Sequence, residues 1–113
     1  MLELSDYFIL PEATLGSDPS WFGFALTIKN NSNFDRNQLI SHLDSKKIGT
    51  RMLFGGNLTL QPAFQNTKFR VHGDLFNSDF ITKNTFWIGV WPGLTNEMLD
   101  FMVNEIKQFI KTV

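Results

Sequence analysis

The sequence predicts an α+β domain, in which helices pack against a small, mostly antiparallel sheet. Two runs, at residues 21–28 and 85–91, are rich in aromatic and β-branched residues and are typical of strands. The last part of the chain instead carries apolar residues at helical spacing. The length favours a single domain over residues 1–113, with 1–20 as an extended lead-in and 21–113 as the α+β body.

The first half of that body is predicted to run strand, loop, helix and strand. After a polar loop, Asp35 is expected to cap the helix, with Gln38 placed as in a capping box. The helix should end near Lys47, with Gly49 close to the first position beyond it, because glycine tolerates the backbone conformation that ends many helices. Residues 50–54 then return as a short strand.

The second half is predicted to begin with a short extended piece at residues 69–71. A short helix should follow, capped by Asn77 or Ser78 and ending near Asn84. The run 85–91 is almost continuously apolar, which predicts a strand buried on both faces.

Thr95 is expected to cap the last helix. Acidic residues lie near the start of this helix and lysines near its end, as the helix dipole favours. Its apolar stripe should pack on the core. The stripe consists of Leu99, Met102, Val103, Ile106, Phe109 and Ile110.

The composition narrows the classes of function. A formal net charge of −1 gives no electrostatic case for binding nucleic acid or an anionic membrane. Because the sequence has no cysteine, disulfides, thiolate catalysis and thiolate-held metals are excluded within it. No apolar run approaches the ~20 residues that span a bilayer, and the first residues lack the features of a signal peptide. We therefore expect a cytoplasmic location.

The aromatic residues are strongly weighted towards phenylalanine. The chain has 12 Phe and 3 Trp against a single Tyr. Because Phe has no polar group, most of these rings should be packed. Any that stay exposed would mark a surface that expects a partner.

The sequence contains no complete catalytic group and no metal-ligand pattern. His42 and His72 are far apart, and neither has carboxylate or histidine neighbours at metal-ligand spacing. No nucleophile elbow is present. We therefore predict no catalytic residue and no metal ligand in this chain.

Residues 49–64 are the segment best suited to touch a ligand. Residues 55–61 follow neither a helical nor a strand period, while large apolar residues at both ends favour order. The pair Gly55-Gly56 could let the backbone approach a ligand closely, or could simply form a tight turn. It is not a phosphate loop, since no Gly-Lys-Ser/Thr follows. The polar side chains available for binding are Arg51, Asn57, Gln61 and, beyond the loop, Arg70.

The pattern Gly49-Thr-Arg-x-Leu-Phe-Gly-Gly-Asn-Leu-Thr-x-Gln-Pro-Ala-Phe64 closely resembles one family. It is similar to the C-terminal domain of the CDP-4-keto-6-deoxy-D-glucose 3-dehydrases of lipopolysaccharide biosynthesis and of their relatives that act on other activated deoxysugars. These enzymes belong to the nucleotide-sugar aminotransferases, which have the aspartate aminotransferase fold (fold type I of the pyridoxal-phosphate enzymes). Further matching segments lie, in the same order, at residues 10–14, 17–24, 70–75 and 85–95.

The resemblance implies a parent enzyme that uses pyridoxamine or pyridoxal 5′-phosphate. Such an enzyme removes the C3 hydroxyl of a 4-keto-6-deoxy sugar nucleotide, often with the help of an iron–sulfur cluster. The resemblance also implies that cofactor, catalytic base and cluster lie in a large domain that is absent from this chain. We therefore expect this chain alone to bind no cofactor, to be inactive, and to meet the sugar nucleotide only together with the large domain.

The resemblance further implies that the loop lies near the mouth of the active site. Arg51, Asn57 and Gln61 are therefore candidate substrate-binding residues, with Arg70 a weaker candidate, because arginine suits phosphate and carbonyl contacts. Asn57 and Gln61 could instead satisfy backbone groups of the loop. Three positions depart from the family pattern: Leu60 replaces an expected basic residue, Phe76 a usual proline and Phe80 a polar or basic residue.

Two other functions stay open. The chain could be an assembly module that pairs with a separate large domain, or with a second copy of itself, through an exposed apolar face. It could also be a fragment of a nucleotide-sugar aminotransferase, although Gly-Gly-Asn-Leu-Thr at residues 55–59 favours the dehydrase branch.

Overall fold

The computed structural model, which describes residues 4–113, contains a four-stranded antiparallel sheet. The strands are β1 (Phe8–Ile9), β2 (Phe24–Ile28), β3 (Thr50–Met52) and β4 (Thr85–Ile88), and they lie in the order β1-β2-β4-β3. All three pairings are antiparallel, which confirms the predicted fold class. β1 lies in the lead-in, where no strand was predicted, and extends the sheet through the pair Phe8 and Ile28.

Helices α1 (Arg36–Ser45), α2 (Phe76–Asn84) and α3 (Asn96–Thr112) complete the described part of the chain. Asp35 caps α1 in the predicted capping box with Gln38. The left-handed residue beyond α1 is Lys47, with φ of 63°, and not Gly49. The chain turns before Gly49 because the Ile48 amide donates to the Leu43 carbonyl (2.9 Å). This turn places the Ile48 side chain in the core.

The core lies between one face of the sheet and the helices α1 and α3. The alternation of each strand sends every second side chain to this face. Its residues are fully or almost fully shielded from solvent, and Leu26, Leu39, Leu43, Phe86 and Ile106 are 0% exposed. The other members are Leu4, Phe8, Ile28, Phe34, Ile48, Ile88 and Phe109.

Helix α3 follows its predicted pattern except at Leu99 and Val103, which do not belong to the core cluster. The Thr95 hydroxyl oxygen accepts the Met98 amide (3.3 Å), so the predicted cap is confirmed. Ile106 and Phe109 are buried, but Leu99 is 42% exposed and does not join the core. No helix in the part of the chain that the structure describes is long and apolar enough to cross a bilayer.

Two other predictions were wrong. Residues 69–71 form no strand. Helix α2 starts at Phe76, earlier than a cap at Asn77 or Ser78 would allow, because the Asp74 carboxylate accepts the Phe76 amide (3.0 Å).

The predicted strand at 85–91 is shorter than its apolar run. Pairing ends at Ile88, and the next three residues are exposed. Within β4 the two faces differ: Phe86 and Ile88 are buried, while Trp87 on the opposite face is only half-buried.

Candidate functional site

The loop between β3 and α2 is ordered by short turns. Two 3₁₀ turns, Leu58–Leu60 and Pro62–Phe64, follow the glycine pair directly. Asn57 caps the first turn and Gln61 precedes the second. Pro62 opens the second turn, where its missing N–H leaves no hydrogen bond unmade.

Asn57 is the buried anchor of this loop. Its side-chain amide donates to the Asp79 carboxylate on α2 (2.6 Å), and its side-chain oxygen accepts from the backbone and hydroxyl of Thr59 (3.0 and 2.8 Å). Its backbone N–H donates to the Thr82 hydroxyl (2.6 Å). Only 6% of Asn57 is exposed. The side chain therefore holds the loop against α2.

Gln61 and the two glycines form the turn beside Asn57. The Gln61 amide donates to the Gly55 carbonyl (2.7 Å) across the loop. Gly56 has φ of 62°, and a Cβ there would lie 2.7 Å from the Thr82 hydroxyl oxygen. Both the backbone conformation and the close approach to α2 therefore require glycine at position 56.

A small cavity of about 170 Å³ lies behind the glycine pair. Arg36, the first residue of α1, lines it together with Gln61 and Thr82. The Arg36 guanidinium donates to the Thr82 carbonyl (2.5 Å) at the end of α2, and more weakly to the Thr85 carbonyl (3.3 Å). Burial lowers the pKa of Arg36, and the neighbouring Asp35 carboxylate partly offsets this effect. Its Nε is buried and has no acceptor among the described residues.

The four candidate binding residues differ in their surroundings. Arg51 lies on β3, is exposed, and donates to the Thr50 carbonyl (2.9 Å). Arg70 is exposed in the irregular stretch before α2. Asn57 and Gln61 both make contacts within the loop. Leu60, at the position where a basic residue was expected, is 55% exposed.

The face of the sheet opposite the core carries four aromatic rings, which we call the outer aromatic face. They are the exposed Trp21, Phe22 and Phe54 and the half-buried Trp87. Phe22 stacks on Phe54, with ring centroids 6.2 Å apart, and packs at an angle on Trp87 at 5.1 Å. Gly23 lies against the Trp87 ring, where a Cβ would come within 2.1 Å. A shallow apolar cavity of about 300 Å³ runs over these rings. The face therefore joins the start of β2 to the start of the loop.

His42 has a structural role. Its Nε2 lies 3.1 Å from the buried Glu105 carboxylate, which also pairs with Lys46 (3.3 Å). These contacts link α1 to α3. His72 is exposed. Among residues 4–113, no three His, Asp or Glu side chains are grouped so that they could hold a metal ion.

The sequence reasoning missed the residues that position the loop. Asp79 and Thr82 lie three apart on α2 and together bind Asn57, and Arg36 holds the end of the same helix. The spacing of Asp79 and Thr82 places both on one side of a helix, which was a usable signal. Nothing local in the sequence pairs Arg36 with α2, because 46 residues separate Arg36 from Thr82.

The chain matches the DegT/DnrJ/EryC1/StrS aminotransferase family over residues 2–107. It is 53% identical over 105 residues to the lipopolysaccharide biosynthesis protein RfbH of Salmonella typhimurium, covering 93% of this chain and 24% of that protein. It is 51% identical over 102 residues to the dTDP-4-dehydro-2,6-dideoxy-D-glucose 3-dehydratase of Saccharopolyspora spinosa, covering 90% of this chain and 22% of that enzyme.

A solved structure agrees with these matches. The Escherichia coli GDP-4-keto-6-deoxy-D-mannose-3-dehydratase, determined with bound hydrated pyridoxal phosphate, superposes with a TM-score of 0.70 and 26% identity, covering 96% of this chain and 26% of that one. The chain thus spans about a quarter of the length of the relatives it matches. Its sheet and helices are those of a domain in pyridoxal-phosphate-dependent sugar dehydratases and aminotransferases. The chain belongs to the DegT/DnrJ/EryC1/StrS aminotransferase family.

Proposed function

We propose that this chain is the C-terminal domain of a pyridoxal- or pyridoxamine-phosphate-dependent sugar-nucleotide 3-dehydratase. The observation that carries the proposal is the identity of 51% to a named 3-dehydratase over 90% of this chain. An identity of 53% to a lipopolysaccharide biosynthesis protein supports a role in deoxysugar formation. The glycine-bearing loop at 53–64 is then a wall of the substrate site.

The residues of this chain do not fit the cofactor itself. The polar side chains of the loop are engaged in the loop: Asn57 binds Asp79 and Thr59, and Gln61 binds Gly55. The chain has no cysteine, so it offers no thiolate to an iron–sulfur cluster. We therefore assign the cofactor and any cluster to the part of the enzyme outside this chain, and derive no chemical step from the residues present.

This chain would contribute to catalysis by shaping the substrate site and by excluding water from it. The hydrogen bonds from Asn57 to α2 fix the loop backbone, and a fixed backbone can place its N–H groups against a ligand without an ordering cost. Gly55 offers an exposed backbone at this point. Arg51, exposed on β3, is the candidate for contact with a sugar-nucleotide phosphate.

A domain exchange tests the proposal. The matched segment of the Saccharopolyspora spinosa 3-dehydratase is replaced by this chain, and the hybrid is tested with dTDP-4-dehydro-2,6-dideoxy-D-glucose. We expect the hybrid to retain cofactor absorption and to remove the 3-hydroxyl group. The matched control is the host enzyme truncated before the exchanged segment, which should be inactive.

A second variant, Arg51→Gln in the hybrid, tests phosphate contact from β3. It should raise KM more than it lowers kcat if Arg51 binds a phosphate. A hybrid that folds and binds cofactor as the host does, but leaves the substrate unchanged, contradicts the proposal.

A further inference from the structure

Helix α2 carries the residues that hold the loop at 53–64, but none of its own nine residues is buried. Helix α1, in contrast, places Leu39 and Leu43 in the core, where both are 0% exposed. Core packing therefore fixes α1 and contributes little to the position of α2. An element with few buried apolar contacts depends on its polar contacts to stay in place.

Arg36, the first residue of α1, makes such a contact from outside α2. Its Nη1 donates to the Thr82 carbonyl in the last turn of α2 (2.5 Å) and, more weakly, to the Thr85 carbonyl at the start of β4 (3.3 Å). Carbonyls in the last turn of a helix lack partners within it, and the helix dipole favours a cation there. Because one nitrogen bridges the end of α2 and the start of β4, it restrains the angle between them.

Thr82 joins this contact to the loop. Its hydroxyl donates to the Ser78 carbonyl (2.6 Å), so the hydroxyl oxygen is left to accept the Asn57 backbone N–H (2.6 Å). The same oxygen would lie 2.7 Å from a Cβ at Gly56. Arg36 therefore binds the carbonyl of the residue whose side chain holds the loop backbone.

The geometry of Arg36 fits an indirect role better than direct contact with a ligand. Arg36 lines the cavity of about 170 Å³ behind the glycine pair together with Gln61. Its Nη1 is engaged by the two backbone carbonyls, and its Nε is buried and so shielded from a ligand in that cavity. The side chain is therefore better placed to hold α2 than to bind a substrate group.

We propose that Arg36 is a positioning residue for the loop at 53–64: it fixes the end of α2, and through Thr82 it sets the place of the glycine-pair backbone. This inference rests on the proposed function, in which that loop is a wall of the substrate site. It assigns control of substrate binding to a residue of α1 that does not touch the substrate. Displacements of about 1 Å caused far from the reacting atoms are large enough to impair an enzyme.

Hydrogen exchange in this chain tests the positioning step without any substrate. Arg36→Met keeps an unbranched apolar side chain but removes the donors. It should speed exchange of the Asn57 amide about tenfold, the size of a lost hydrogen bond to a charged group. Arg36→Lys retains a cationic donor for one carbonyl and should give a smaller increase. The matched control is Lys83→Met, which removes an exposed cation from the same turn of α2 and should leave Asn57 exchange unchanged.

A double-variant cycle tests the route through Thr82. Thr82→Val removes the hydroxyl that binds Asn57 but keeps the carbonyl that binds Arg36, so it should speed Asn57 exchange more than Arg36→Met does. Adding Arg36→Met to Thr82→Val should then raise the exchange rate by less than about twofold, because both changes act on one contact. A further increase of about tenfold, as independent sites would give, overturns the proposal.

The hybrid with the Saccharopolyspora spinosa 3-dehydratase measures the effect on substrate. Arg36→Met should raise KM for dTDP-4-dehydro-2,6-dideoxy-D-glucose about fivefold or more and change kcat by less than about twofold, because the loop binds substrate but carries no reacting group. Arg36→Lys should recover part of this loss, and Lys83→Met should match the unaltered hybrid. A role of Arg36 in folding alone would lower kcat per total enzyme at an unchanged KM, which overturns the proposal.

Circular dichroism and exchange of the Leu43 amide in α1 report unfolding of the whole chain. Where Arg36→Met unfolds it, Arg36→Lys takes its place, with the same order of effects against Lys83→Met. A raised KM with unchanged Asn57 exchange would assign Arg36 to direct ligand contact and overturn the proposal. So would equal effects of Arg36→Met and Lys83→Met.

The outcomes also separate this inference from the proposed function on which it rests. An unaltered hybrid that binds cofactor but is inactive refutes the proposed function, and with it the substrate role of Arg36. An active unaltered hybrid, together with Asn57 exchange that Arg36→Met leaves unchanged, refutes only the positioning role.

Discussion

The two faces of the sheet are completed in different ways. The helix-packed face closes within the chain, because α1 and α3 supply the apolar side chains that cover Leu26 and Phe86. The outer face is closed only in part: Thr85 is buried at one end, whereas Phe22 and Phe54 stay exposed. The adjoining loop is held by hydrogen bonds centred on the buried Asn57. The buried apolar core therefore lies on one side of the sheet, and the exposed aromatic rings lie on the other.

The largest expected difference is in the free energy of unfolding. Leu43→Ala removes a side chain that is 0% exposed in the helix-packed core, so it should lower the unfolding free energy by about 2–5 kcal/mol. Phe22→Ala on the outer face, where Phe22 is 73% exposed, should change it by no more than about 0.5 kcal/mol. Urea denaturation followed by circular dichroism compares them. Equal losses would remove the distinction between the faces.

The loop should respond to loss of polar contacts. Asn57→Ala leaves the Asp79 carboxylate and the Thr59 amide without their partner, which should cost about 1–3 kcal/mol because buried polar groups lose hydrogen bonds. The effect should appear as faster hydrogen exchange at the Thr59 amide. The control Gln61→Ala removes one exposed hydrogen bond to Gly55 and should have a smaller effect. Unchanged exchange in Asn57→Ala would show that ring contacts alone hold the loop.

The glycine pair offers a finer comparison within the loop. Gly56→Ala would place a Cβ 2.7 Å from the Thr82 hydroxyl oxygen at a φ of 62°, so it should cost at least about 1–2 kcal/mol. Gly55→Ala would place a Cβ 3.1 Å from the end of the flexible Leu58 side chain, which can move, and should cost less. Thermal unfolding of the two variants measures this order. A reversed order would mean that the loop does not sit against α2.

The helix-packed face was the part most accessible to sequence reasoning. Periodicity and capping residues are local signals, and they located α1 and α3 through Asp35 and Thr95. The same reasoning failed at residue 99, because Leu99 lines an open cavity of about 340 Å³ beside Phe24 and Ile88 and stays 42% exposed. It also missed β1, because a two-residue strand is defined by its partner Ile28 and has no period of its own.

The outer face and the loop depend on contacts between distant residues. Asn57 was selected from its residue type as a substrate group, but Asp79 and Thr82, more than 20 residues away, draw it into the loop scaffold. The left-handed Leu75 before α2 similarly follows from the Asp74 contact and not from any glycine. Substrate contact by Arg51, Asn57, Gln61 and Arg70 stays a prediction. Of these, Arg51 alone shares a face with the exposed rings by strand register.

The smallest expected effect lies at the start of α3 and tests the helix-packed side. A hydrogen bond from the Thr95 side chain, with a further one from the backbone of Glu97 itself, lowers the pKa of Glu97 below its ordinary value of 4.5. A carboxylate whose pKa is lowered by folding stabilises the folded state above the unfolded pKa, and this contribution is lost as pH falls through the folded pKa. The unfolding free energy of the unaltered protein should therefore fall on acidification below 4.5 by more than that of Glu97→Gln. Asp100→Asn, which also removes one carboxylate from the first half of α3 but leaves the Thr95 cap intact, is the matched control. The measurement is the urea midpoint of unfolding across this pH range. The midpoints of Glu97→Gln and of the unaltered protein should converge only at the acidic end. Curves that stay parallel would mean that the cap does not hold the Glu97 carboxylate.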